Sequence, residues 1–256
     1  MHAITVGIIP ARYASVRFPG KVLAKIGGKP MIQHVYERAL QARHLARLIV
    51  ATDDPRVART VEEFGGEVQL TREDHASGSD RAGEVAAGLE ADYVVNIQGD
   101  EPFISPAAID LAIETLQARP DAMVATLIQR CKQVEQLVSP NTAKVVIDET
   151  HNALYFSRAP IPHLRDVAQP EEWLERHPFY LHIGLYVFRR EFLLDYVTWP
   201  PGKLEQAEKL EQLRILEHGY RIVCAETRYT SICVDTPEDL ALAQKIWKER
   251  GFAEKR

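Results

Sequence analysis

An α/β fold with a mixed, mostly parallel central sheet and a small inserted subdomain is what this sequence predicts. Its first half alternates short β-branched runs with helical patterns, the signature of repeated βαβ units wound right-handed. Beyond Pro120 the strand-like runs crowd together and helices thin out, as sheet edges and an insertion would read. A chain of 256 residues with 46% hydrophobic side chains can bury one large α/β core without covalent staples.

The runs at 4–9, 48–51 and 93–97 are apolar and largely β-branched, as strands covered by helices on both faces should be. Between them, 31–41, 55–64 and 78–89 carry apolar residues near helical spacing beside a cap or turn and are expected as helices. Further strands are expected at 123–128, 143–147, 153–156 and 183–188, and the last strong helices at 203–218 and 237–250. Residues 160–178, with four prolines and few apolar side chains, read as a loop and as the most mobile element. The whole of 1–256 is expected to form a single domain, its insertion lying roughly within 130–220.

The formal net charge is −5, from 31 Lys and Arg against 36 Asp and Glu, with the signs interspersed. A nucleic-acid binder needs a basic face that releases counterions, so none is expected, although nucleotide substrates stay open. No apolar run reaches the length of a bilayer span, and the first residues enter a strand-like stretch with no basic leader, so membrane insertion is not expected and a cytoplasmic protein is. Three cysteines without a CxxC argue against a disulfide framework or zinc ribbon, and the nine histidines show no HExxH spacing.

In open α/β sheets ligands bind at the carboxyl ends of the strands, which directs attention to the loops that follow them. After the first strand come Arg12, Ser15, Arg17, Gly20 and Lys21 within ten positions. Guanidinium forks and an ammonium on a sparse backbone suit a triphosphate. The loop is neither a Walker A motif nor a GxGxxG fingerprint, and an exposed basic loop of no consequence is the plainer alternative. Gln98-Gly99-Asp100-Glu101-Pro102 places a carboxylate at the tip of a buried strand, where it can hold magnesium, but the same residues make a good turn. Asp235, before the last helix, is a second such acid; capping of that helix by Asp235 or Thr236 explains it equally well. His75-Ala76-Ser77-Gly78-Ser79-Asp80-Arg81 reads as a helix entry whose amides and hydroxyls can meet a base or phosphate, or as ordinary capping.

Taken together and in order, the motifs resemble those of the 3-deoxy-manno-octulosonate cytidylyltransferases. They are Pro10-Ala11-Arg12-Tyr13-Ala14-Ser15 with Arg17 and Pro19-Gly20-Lys21, His75-Ala76-Ser77-Gly78, Gln98-Gly99-Asp100-Glu101-Pro102, Ala153-Leu154-Tyr155-Phe156-Ser157-Arg158, His182-Ile183-Gly184, Leu210-Glu211-Gln212-Leu213-Arg214 and Val234-Asp235-Thr236-Pro237-Glu238-Asp239. Sialic-acid cytidylyltransferases resemble the chain mainly in the first loop. Two departures are Ser79 where the family commonly has Thr, which keeps a hydroxyl, and Ile232-Cys233 in place of a small residue.

The resemblance implies a Rossmann-like nucleotidyltransferase fold, a homodimer, and transfer of CMP from CTP to 3-deoxy-D-manno-octulosonate (Kdo), with pyrophosphate released, in lipopolysaccharide biosynthesis. It implies that Arg12 and Lys21, helped by Arg17, bind the triphosphate, and that Asp100 and Asp235 hold Mg2+. It further implies that Ala11, Ser77, Gly78 and Arg81 frame the cytidine. Gln98, Arg158, His182, Tyr186, Glu211 and Gln212 would face the sugar acid, with Arg158 on its carboxylate. A nucleotidyltransferase of another sugar acid, or a non-catalytic binding protein of the same fold, are the competing expectations; the latter would be expected to lack Lys21, Asp100 or Asp235.

Overall fold

The computed structural model describes residues 3–15, 17–167 and 169–249. They form two compact units, one of 1–110 with 231–256 and the other of 111–230. The second unit begins before and ends after the 130–220 expected for an insertion.

The first unit opens with β1 (Thr5–Pro10), the hairpin of β2 (Lys25–Ile26) and β3 (Lys29–Pro30), and α1 (Met31–Ala39). Then come β4 (Arg47–Thr52), α2 (Pro55–Glu63), β5 (Val68–Leu70), α3 (Gly78–Ala87) and β6 (Tyr93–Asn96). These strands run parallel in the order β6-β1-β4-β5. All four residues of β6 and the first five of β1 are buried, which is why these strands read as unbroken apolar runs. The helix starts follow local chemistry. The Asp54 carboxylate accepts from the Arg56 amide before Pro55 opens α2, and Ser77 and Asp80 close a reciprocal capping box on α3.

Helix α4 (Pro106–Gln117) spans the division between the units. The second unit continues with β7 (Val124–Arg130), α5 (Val134–Val138), β8 (Lys144–Ile147), β9 (Ala153–Ser157), α6 (Pro170–Arg176) and β10 (Tyr180–Arg189). It ends with α7 (Arg190–Tyr196), α8 (Lys203–Glu208), α9 (Gln212–Glu217) and β11 (Ile222–Glu226). Here β10 runs antiparallel to both β7 and β8, β9 pairs antiparallel with β8, and β11 lies parallel to β7. Parallel and antiparallel ladders together make the sheet mixed, as expected.

Two expected elements differ. The helix expected over 203–218 is two helices, α8 and α9, because Lys209 adopts a left-handed conformation with φ 54°. The carbonyls of Glu208 and Lys209, orphaned at that break, accept from the Arg158 guanidinium at 2.7 and 3.2 Å. The stretch expected as a loop over 160–178 contains α6, with Pro170 at its first position and Glu171 and Glu172 in its first turn. Trp173 and Leu174 of that helix pack on a core of Cys131, Leu137, Phe179 and Leu181. Residue 168 of that stretch and residue 250 lie outside the described residues.

The chain returns to the first unit with α10 (Pro237–Glu249). Leu240, Ala243, Ile246 and Trp247 pack against Ile26, Met31 and Phe103, and Gly27, at φ 57°, leaves room for the Trp247 ring. No helix among the described residues is long and apolar enough to cross a membrane.

Gly99, just beyond β6, shows how tightly the carboxyl ends of the strands are drawn together. A Cβ there would stand 2.8 Å from the Pro10 carbonyl oxygen, a backbone atom with little freedom to yield. Gly99→Ala should therefore destabilise the fold by about 1–3 kcal/mol, read as a lowered urea midpoint at unchanged slope; an unchanged midpoint would show that the two loops move apart freely.

Candidate active site

The carboxyl ends of β1 and β6 and the entry to α3 enclose an open cavity of about 290 Å³ in the first unit. The loop after β1 doubles back on itself. The Gly20 amide donates to the Tyr13 carbonyl at 2.8 Å, and Gly20, at φ 71°, lies with its would-be Cβ 3.0 Å from the Tyr13 ring. This turn delivers Lys21 to the cavity wall. Its ammonium lies 2.6 Å from Asp100 Oδ2 and 2.7 Å from Asp235 Oδ1, while Arg17 reaches Asp235 Oδ2 at 2.8 Å.

The two aspartates are 135 positions apart in the chain, and a backbone hydrogen bond aligns them: the Val234 amide donates to the Asp100 carbonyl at 2.9 Å. The capping explanation of Asp235 does not hold for its side chain. Thr236 Oγ1 accepts from the Asp239 amide, and Asp239 Oδ2 accepts from the amides of Asp235 and Thr236, so the Asp235 carboxylate is left for Lys21 and Arg17.

Burial works against the Lys21 charge, yet Asp100 and Asp235 outweigh it and hold the ammonium above its ordinary pKa. For Asp235, burial again opposes ionisation, and Lys21 and Arg17 prevail, holding the carboxyl below the usual range. The Cys233 sulfur joins the two carboxylates in a group whose ligand atoms lie within 4.8 Å of one another. Cys233 is exposed and offers a soft sulfur, so the hard donors of the group are the two carboxylates. Oxygen donors of that kind, with phosphate and water completing the shell, fit magnesium.

Of the other expected nucleotide residues, all but Ala11 border the cavity that holds this cluster. Arg12, Ser77, Gly78 and Arg81 line the cavity, as does Gln98. Ser77 uses its hydroxyl to cap α3, accepting from the Asp80 amide at 3.1 Å. Arg81 is 3% exposed, pairs with Asp53 at 3.2 Å and donates to the Thr71 hydroxyl and the Arg72 carbonyl, so it is a fixed wall. Ala11 is buried outside the cavity lining, its amide donating to the Ala51 carbonyl at 2.8 Å. Ser15, His75 and Gly99, members of the same three motifs without an expected role of their own, also line the cavity.

The residues expected to face a sugar acid, Gln98 apart, gather in the second unit. Along β10 the register shifts between Ile183 and Tyr186, and the His182 and Tyr186 rings lie 5.4 Å apart. Desolvation takes the His182 imidazole down to about 3, so it is neutral. Its Nε2 lies 2.9 Å from Thr126 Oγ1, which in turn is 2.9 Å from the Leu185 carbonyl. With the Thr126 hydroxyl donating to that carbonyl, Nε2 carries the ring proton and Nδ1 is left as an acceptor. The Tyr186 phenol, pushed well up by burial and then by Glu211, donates to Gln212 Oε1 at 3.0 Å. Gln212 is 2% exposed, and its Nε2 is buried without a hydrogen-bond acceptor among the described residues. The Glu211 carbonyl, beside it, accepts from Tyr196 at 3.1 Å. The Arg158 guanidinium donates to the carbonyls of Pro140, Glu208 and Lys209, three of its five N–H groups.

The sequence profile of the cytidylyltransferase family matches residues 6–222. The chain is 52% identical to a 3-deoxy-manno-octulosonate cytidylyltransferase of Solibacter usitatus, over 94% of each chain. It is 53% identical to that of Geobacter metallireducens, over 91% of this chain and 93% of the other. Among solved structures it is similar to a CMP:2-keto-3-deoxy-manno-octonic acid synthetase complexed with CTP, with 43% identity, a TM-score of 0.90, and coverage of 97% of this chain and 100% of that one.

The charge cluster has a pH signature. A depressed Asp235 pKa contributes stability above the ordinary carboxylate range that is lost as pH falls through the depressed value. A raised Lys21 pKa contributes stability below the ordinary lysine value that is lost as pH rises through the raised one. Lys21→Met should thus lower the thermal midpoint by a few degrees at neutral pH, with the gap to the unaltered chain closing toward strong acid; a gap independent of pH would refute the pairing.

Proposed function

The chain belongs to the 3-deoxy-manno-octulosonate cytidylyltransferase family, and on that premise we infer that it transfers CMP from CTP to Kdo, releasing pyrophosphate, for lipopolysaccharide biosynthesis. The observation that carries this reading to individual residues is the Lys21 ammonium held between Asp100 and Asp235 at the mouth of a loop that also bears Arg12 and Arg17.

In this reading Arg12 and Lys21 take the triphosphate, with Arg17 assisting, and neutralise the charge that grows on departing pyrophosphate. Asp100 and Asp235 would hold Mg2+, which when bound polarises the phosphates and lowers the pKa of a nearby hydroxyl. Ser77, Gly78 and Arg81 frame the cytidine, and Ala11 supports the loop from beneath. Gln98, Arg158, His182, Tyr186, Glu211 and Gln212 receive Kdo. The neutral His182 offers Nδ1 to a sugar hydroxyl, Gln212 offers the buried Nε2 donor, and the two remaining N–H groups of Arg158 face the carboxylate. The C2 hydroxyl of Kdo then attacks the α-phosphorus in line with the leaving pyrophosphate, the new O–P bond forming as the bond to the β-phosphate oxygen breaks and the hydroxyl proton passing to solvent. No covalent enzyme intermediate is needed, so the protein's contribution is positioning and charge neutralisation. CTP is a cytoplasmic metabolite, which supports a cytoplasmic location, and a homodimer is the working form to be checked by light scattering.

Pyrophosphate release should occur with CTP, Kdo and magnesium and fail when sialic acid replaces Kdo or ATP, GTP or UTP replaces CTP. Release with another pair would overturn the substrate, and silence with every pair would overturn catalysis. Asp100→Asn should fold cooperatively and lose roughly a hundredfold or more in kcat; near-native turnover in that variant would remove Asp100 from the reaction.

A further inference from the structure

Lys144, on β8, is fully buried, and the hydrogen bonds of its ammonium among the described residues all go to backbone carbonyls, none to a carboxylate. All three of its protons go to backbone carbonyls, those of Ser139 at 2.8 Å, Thr142 at 2.6 Å and Arg158. A desolvated ammonium is costly, and here burial and the Arg158 charge both press its pKa down. An apolar side chain would fill the same volume more cheaply, so the arrangement calls for a reason.

Its three acceptors supply one. Two of them bracket Pro140, whose own carbonyl receives Arg158 Nη1 at 3.0 Å, and the third is the carbonyl of Arg158 itself. Lys144 therefore fixes both the point where the Arg158 side chain departs and one of the surfaces on which its guanidinium rests. From the other side the Glu208 carboxylate accepts the Arg158 amide at 2.9 Å and the Ser157 hydroxyl at 2.6 Å, and the guanidinium closes on the Glu208 and Lys209 carbonyls. The fork is thus held along its length, with its direction set by contacts that all lie within the second unit.

We propose that Lys144 is a positioning residue for Arg158 and, through it, for recognition of the sugar acid's carboxylate. This rests on the reading that Arg158 meets that carboxylate. Removing the ammonium leaves the 139–142 carbonyls without their shared donor, lets that loop relax, and turns the fork away from the substrate.

The test is steady-state kinetics with CTP and Kdo varied separately, on Lys144→Met, Arg158→Lys and the double variant. Lys144→Met should raise the KM for Kdo about tenfold or more while leaving the KM for CTP and the kcat at saturating Kdo within about twofold. In the Arg158→Lys background the same substitution should add less than about twofold, because its effect passes through a side chain already altered. A general loss of packing would instead move both KM values and multiply with Arg158→Lys, and either result overturns the proposal. If Lys144→Met does not fold, Lys144→Gln, which keeps two donors without the charge, takes its place. Failure of both to fold would assign Lys144 to stability and overturn the positioning role. An unchanged KM for Kdo in Arg158→Lys alone would overturn the reading of Arg158, separately from anything Lys144 does.

Discussion

Two carboxylates at one edge of a cavity repel each other unless a cation stands between them, and Lys21 is that cation. With oxygens within 4.8 Å, Asp100 and Asp235 would oppose one another by roughly 3 kcal/mol at an effective dielectric of about 20. Much of the first unit serves to bring the three side chains together. Gly20 lets the loop after β1 turn back to deliver Lys21, and the Val234 amide on the Asp100 carbonyl aligns the two acids. Thr236 and Asp239 cap the last helix so that Asp235 does not have to. Trp247, seated over Gly27, anchors that helix to the unit where the chain began. On the proposed reading such an arrangement would exchange partners, the ammonium turning to phosphate if a metal ion took its place beside the two carboxylates.

The second unit solves a different problem, that of holding neutral and charged polar groups under cover with most of their hydrogen bonds made, Gln212 Nε2 being left without an acceptor among the described residues. Burial keeps His182 neutral with Nε2 against the Thr126 hydroxyl, and burial with Glu211 keeps Tyr186 protonated and donating to Gln212. Arg214, which belongs to the same short motif as Glu211 and Gln212, has a structural task. Its guanidinium makes two 2.7 Å bonds to Glu205, a third to the Trp199 carbonyl, and stacks over Tyr196. That fork ties α8 to α9 across the left-handed break at Lys209, and so sets the angle at which Gln212 enters the unit's interior. A motif legible as one string of residues thus divides into side chains that hold the backbone and side chains left to meet a ligand.

Much of this was legible in the residues themselves. Strands β1, β4 and β6 announced themselves by apolar, largely β-branched runs, and α2 and α3 by apolar residues near helical spacing beside a cap or turn, Ser77 among them. The first loop and Asp100 stood out because they follow strands whose ends form ligand sites in this class of sheet. Elements that depend on distant partners were not legible. Helix α6 owes its place to a hydrophobic core that includes Cys131 and Phe179, and the break at Lys209 to an arginine some fifty positions away. Lys144, Glu208 and Thr126 carried no local signal, because what distinguishes them is which carbonyls and side chains the fold brings to them.

The sequence by itself determined the α/β class, the strand-end loops and the residue types that chemistry on a triphosphate would use, since these follow from periodicity, turn chemistry and short-range spacing; the residues for a sugar acid came only from the family resemblance. Only the tertiary structure decided that Asp235 pairs with Lys21 rather than capping its helix, that Arg81 is a wall, and that Arg158 leans on three carbonyls. The physical reason is the range of the forces involved. Helix caps and apolar alternation act over a few residues, whereas the charge and hydrogen-bond partners of a buried group come from wherever the fold places them, here as far apart as Lys21 and Asp235.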